Sequence, residues 1–85
     1  MNSKEILQTI VAEDGSCSWI DEKGGIDICA QCPMSKLKTR PDGNYYSCVD
    51  SLAVHQLNEA DQDAIYKAKA EELLLEIDIE DMLKS

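Results

Sequence analysis

Eighty-five residues carrying a net charge of −9 bound this chain to one small domain with a thin core. A chain this short buries only about 60–65% of the surface it exposes when unfolded, so a metal, disulfides or a partner is expected to supplement the core. Apolar residues make up 44% of the chain and Phe is absent; no apolar run approaches the roughly 20 residues that cross a bilayer, which argues against a membrane span.

Charge distribution is more telling than its sum. Residues 1–32 hold two Lys against six acids (−4), residues 33–48 three bases against Asp42 (+2), and residues 49–85 three Lys against ten acids (−7). Phosphate backbones are bound chiefly by Lys and Arg, so a chain this acidic is poorly suited to nucleic acid except through its short basic stretch.

The first segment, residues 1–13, reads as a helix. Asn2 or Ser3 can cap it, Glu5 stands three residues after Asn2 as in a capping box, and Ile6, Leu7, Ile10 and Val11 share one face. Asp14-Gly15-Ser16 ends it by turn chemistry. The same opening residues lack a long apolar core and include Glu5, so no signal peptide is expected and the chain reads as cytoplasmic.

Residues 17–48 read as two short hairpins. Cys17-Ser-Trp-Ile20 and Ile26-Asp-Ile-Cys29 flank the Gly-containing loop 21–25, and Lys36–Arg40 and Tyr45–Cys48 flank Pro41-Asp42-Gly43-Asn44. From Cys48 to residue 85 the pattern is helical and acidic. Asn58 is a plausible cap, with Tyr66, Ala70, Leu73 and Ile77 on one face and Ala64, Ala68, Leu75 and Ile79 on another. The expected class is therefore α+β: one 85-residue domain with an N-terminal helix, two hairpins meeting at a four-cysteine site, and a long C-terminal helix.

The cysteines follow Cys17-x11-Cys29-x2-Cys32-x15-Cys48. Cytosolic thiols stay reduced, so they read first as metal ligands and not as two disulfides. Two residues between Cys29 and Cys32 let the backbone wrap one ion as a knuckle, with sulfurs about 2.3 Å from it. Four thiolates complete a closed tetrahedral zinc site with no open position for catalysis, so no enzyme activity is expected. An iron–sulfur cluster uses the same ligand count, and a Pro directly after a cluster cysteine is matched by Cys32-Pro33. Redox dithiol chemistry at Cys29-Ala-Gln-Cys32 would need a βαβ setting that the flanking residues lack. His55, the only histidine, is expected to be an ordinary helix-surface residue, the rival readings being a metal ligand or a general base.

Two surfaces compete as binding sites. Residues 73–83 carry more large apolar side chains than one helix face can bury, which points to a protein partner or a homodimer through this segment, with Leu75, Ile79 and Met82 as contacts. The rival is a nucleic-acid-binding module in which Tyr45 and Tyr46 stack on bases beside Lys36, Lys38 and Arg40. Trp19, Tyr45 and Tyr46 are otherwise expected to roof the metal core.

The run Cys29-Ala-Gln-Cys32-Pro33-Met34-Ser-Lys, followed by Cys48 and an Ala/Tyr/Leu-rich acidic helix, resembles small four-cysteine, zinc-knuckle-containing proteins common in phage and prophage genomes. Residues 29–34 also resemble the knuckle half of a zinc ribbon, although the second CxxC of a ribbon is missing. The resemblance implies the four ligands and a bacterial or phage-infected cytoplasm. It implies no activity.

Overall fold

Asn2 begins the first helix as a capping residue should: its side-chain oxygen accepts a hydrogen bond from the Glu5 N–H at 2.9 Å. The structure, a computed structural model, describes residues 2–84. Helix α1 (Ser3–Ala12) buries Ile6, Leu7 and Ile10 completely or nearly so. It ends where Asp14 and Gly15 take positive φ, the Gly15 N–H reaching back to the Ile10 carbonyl at 2.7 Å.

The two expected hairpins are not formed. Residues 20–31 fold as two short helices, α2 (Ile20–Lys23) and α3 (Ile26–Gln31). Gly24 (φ 139°) and Gly25 (φ 62°) separate them, with the Gly25 N–H bonded to the Ile20 carbonyl. That is a helix stop, and a pair of glycines serves it as readily as it serves a strand reversal. Ile26-Asp-Ile28 alternates over too few residues to impose a strand on its own.

The second segment opens with a single 3₁₀ turn, Pro33–Lys36, where Pro occupies a first-turn position that needs no N–H donor. Its Pro41–Asn44 turn does form, held by bonds from the Arg40 N–H to the Asn44 carbonyl (2.6 Å) and the Tyr46 N–H to the Lys38 carbonyl (3.0 Å). Pairing stops there, at one isolated bridge between Thr39 and Tyr45. Among the described residues there is no strand and no sheet, so the fold is α-helical and the α+β expectation is corrected. The physical reason lies at both ends of the would-be strands: Pro33 begins a helical turn and Ser47 caps a helix.

That helix, α4 (Cys48–Leu52), begins with the Ser47 hydroxyl accepting from the Asp50 N–H at 3.2 Å, and ends at Ala53 in the left-handed conformation. Helix α5 (Glu59–Lys84) follows, its first turn capped by Asn58 through the Asp61 N–H at 2.8 Å. Gln62 ties this turn down by donating to the carbonyls of Val54 and Leu57.

Helices α1 and α5 pack antiparallel. Lys4 pairs with Asp78 and Asp14 with Lys67, both at 3.3 Å, which sets the register of the two helices. Tyr66 and Ala70 are buried against α1, with Leu73, Leu74 and Ile77 half-buried beside them. The contact is close enough that Gly15 touches the backbone of α5: a Cβ built there would stand 1.8 Å from the Asp63 carbonyl oxygen. At 26 residues α5 is about 39 Å long, nearly the 42 Å longest dimension of the molecule. The 10-residue α1 covers about 15 Å of it. Because Lys4 already meets Asp78, the last turns of α5 run beyond the start of α1.

Candidate metal centre

Three separate pieces of chain bring the four cysteines to one cavity. Cys17 lies in the link between α1 and α2, Cys29 in α3, Cys32 immediately after α3, and Cys48 at the first position of α4. All four line one cavity of about 190 Å³, whose remaining walls are Ile10, Ile20, Met34, Ser35 and Ser47. None is in a disulfide.

The knuckle is built by backbone geometry. The Cys32 N–H bonds the Cys29 carbonyl at 3.2 Å, and the Ser35 hydroxyl sits 2.7 and 2.8 Å from the carbonyls of Cys29 and Cys32, donating to that pair. The N–H groups of Met34 and Ser35 point at the Cys32 sulfur and favour its thiolate, against the burial that raises its pKa. Donors aimed at a sulfur are what the Cys29-x2-Cys32 spacing leads one to expect of a metal knuckle.

Electrostatics in the cavity favour neutral thiols. Burial, followed by the charges of Cys48, Cys32 and Cys29, pushes the Cys17 thiol up to about 12, and burial with Cys48 also raises Cys29. Redox dithiols depend on a lowered thiol pKa, whereas three of these four are raised. Mutual repulsion of this kind is removed by a cation at the centre. The thiols ring the cavity without converging: among the described residues no group of three or more His, Cys, Asp or Glu is yet drawn close enough to hold an ion. The donor set nevertheless fits a thiophilic metal, with four sulfurs facing one apolar space and no carboxylate among its walls.

Tyr66 was not legible as part of this site. It is buried on α5 beside Cys48, and burial followed by the neighbouring Cys48 raises its pKa well above the usual phenol value. It thus joins the long helix to the cysteine cluster. Its position at one face of a helical stripe marked it as core; only the tertiary fold places that face beside a residue eighteen positions earlier.

The aromatic roof expected over the metal is not there. Trp19 is in the core, its indole N–H donating to the Ser16 carbonyl at 2.8 Å, but it does not line the cavity. Tyr45 is exposed, and Tyr46 lies beneath Lys38 and Arg40, whose charges sit 5.6 and 5.8 Å from its ring centre. Lys36 is exposed at the end of the 3₁₀ turn. His55 is exposed after α4, is hydrogen-bonded to Asp50, and does not line the cavity. Asp50 is held below the usual carboxylate range by the Ser47 hydroxyl and then by His55.

No known protein family, curated protein or solved structure matches this chain.

On α5 the residues facing away from α1 are as distinctive as the cavity. Leu75, Ile79, Met82 and Leu83 are 61, 49, 76 and 81% exposed. They recur at helical spacing and continue the exposed Ala64 and Ala68, on the side opposite Tyr66, Ala70, Leu73 and Ile77. No helix among the described residues is long and apolar enough to cross a membrane.

Proposed function

We propose that this chain is a small cytoplasmic protein-interaction module whose helical fold is fixed by one zinc ion on Cys17, Cys29, Cys32 and Cys48. The metal supplies cross-linking and charge neutralisation and no reaction. Four thiols from three chain segments around one apolar cavity support that role. Such a set fills a tetrahedral site completely, leaving no position for substrate. In a domain of this size the ion does what a larger core does elsewhere.

One observation carries the binding role. The apolar stripe Leu75, Ile79, Met82 and Leu83 lies on the face of α5 opposite its packing face, so the chain's own core cannot cover it. Each such side chain is worth roughly 1.5–3 kcal/mol when buried, which is the gain open to a partner that covers the stripe.

The nucleic-acid reading has less behind it, because Lys38 and Arg40 occupy the Tyr46 ring and leave Tyr45 as the one open stacking ring among the five residues.

The stripe is separable from the fold, and that is testable. Replacing Leu75 and Ile79 together by Asp costs about 1 kcal/mol in helix propensity, since neither side chain packs on the core. Metal content and circular dichroism are expected to stay as in the parent, with a thermal midpoint lower by several degrees. Association with a partner, read by sedimentation or co-purification, is expected to be lost. Unfolding of the double variant would make the stripe core, where two such truncations cost several kcal/mol each.

A further inference from the structure

The partner's chemistry is written along the edges of the stripe. At 100° per residue, Glu71 and Asp78 border Leu75 on one side and Glu72 and Glu76 border it on the other. Residues 71–84 hold six carboxylates and one base, Lys84. Of the lysines one or two turns earlier, Lys67 pairs with Asp14 away from the rows, and Lys69 pairs with Glu72 within one of them. Lys4 of α1 pairs with Asp78 in the other row, so six carboxylates meet three bases, Lys4, Lys69 and Lys84.

Resting on the reading of this stripe as an interface, we infer that its occupant is a basic amphipathic helix of another protein, its apolar face on Leu75, Ile79 and Met82 and its Lys or Arg residues along the two carboxylate rows. A second copy of this chain is disfavoured, because pairing two α5 stripes sets twelve carboxylates of residues 71–84 against six lysines, Lys4, Lys69 and Lys84 of each copy. Like charges across an interface select against self-pairing, and opposite charges steer the right partner in. Nucleic acid and anionic membranes meet the same repulsion. The geometry suits a helix in particular: the stripe runs along one continuous helix, α5, and is bordered by charge on both sides.

The test uses the full chain with two synthetic helical peptides that share one leucine stripe (i, i+4, i+7). One carries Lys at the flanking positions and the other Glu. By fluorescence anisotropy the Lys-flanked peptide is expected to bind at least about tenfold tighter, and to weaken by about tenfold as salt rises from about 0.05 M to about 0.5 M. Its binding should disappear with Leu75→Asp/Ile79→Asp, and the chain alone should sediment as a monomer at either salt. Equal binding of both peptides would overturn the charge inference while leaving the stripe an interface. A dimer lost in the double variant would do the same, naming a second copy as the occupant. Lys-peptide binding that survives the double variant would reduce the effect to diffuse charge attraction and overturn the inference. A monomer that binds neither peptide would overturn the interface reading as well.

Discussion

Cys29→Ser is expected to unfold the protein at room temperature, although the Cys29 side chain is exposed. The contrast between its exposure and its expected effect is what makes the substitution informative. An exposed thiol with no role beyond its own packing changes stability by less than about 0.5 kcal/mol when replaced by a hydroxyl. A thiolate that is one of four ligands to a structural zinc shares in a binding free energy on the order of 10 kcal/mol, comparable to the whole net stability of a small domain. Cys32 gives a less clean answer because it is also buried in the apolar core, so Cys32→Ser perturbs packing as well as ligation. Helical circular dichroism and a thermal midpoint unchanged in Cys29→Ser would remove the metal from the account of the fold.

Gly15→Ala is expected to be the most damaging substitution outside the cysteines. Gly15 has φ +92°, and its missing Cβ would lie 1.8 Å from the Asp63 carbonyl oxygen and 2.6 Å from the carbonyl carbon. Backbone cannot yield as a flexible side chain does, so α5 would have to move off α1. Strain of about 1–2 kcal/mol from the left-handed conformation adds to about 1–3 kcal/mol of overpacking. For a domain of this size that lowers the thermal midpoint by on the order of 20 °C. Gly43 supplies the internal control: it has the same φ of +92° but open space around its Cβ position. Gly43→Ala should carry only the conformational cost and lower the midpoint by roughly half as much or less. Equal effects at the two positions would contradict the close approach of α1 and α5.

What the sequence disclosed and what it hid follow a physical division. Asn2 with Glu5, and Asn58 before an acidic turn, are local capping signals, and both helices begin where those signals stand. The division of α5 into a Tyr66–Ala70–Leu73–Ile77 face and a Leu75–Ile79 face was equally legible, because helical periodicity needs no knowledge of the partner. Residues 17–48 carry hairpin signals without forming hairpins because those signals are degenerate. Gly24-Gly25 stops a helix or reverses a strand with equal ease, and short segments such as Cys17–Ile20 carry too little pattern to decide. Ser47-x-x-Asp50 did hold a usable cap signal, which the strand assignment of Tyr45–Cys48 overrode. At the site, the spacing marked the four cysteines as a group. Its apolar lining by Ile10, Ile20 and Met34, the Tyr66 contact and the need for Gly15 all arise from packing between distant segments, which no local pattern encodes.

The measurement closest to the central claim is the metal content of the full chain purified anaerobically, taken together with its visible spectrum and its helical circular dichroism before and after chelation. Zinc bound at about one ion per chain, in a colourless protein that loses its helical signal when the metal is stripped, is the expected result. A brown, iron-containing protein would replace zinc by an iron–sulfur cluster on the same four cysteines. A metal-free protein with full helicity and an undiminished thermal midpoint would contradict the account outright.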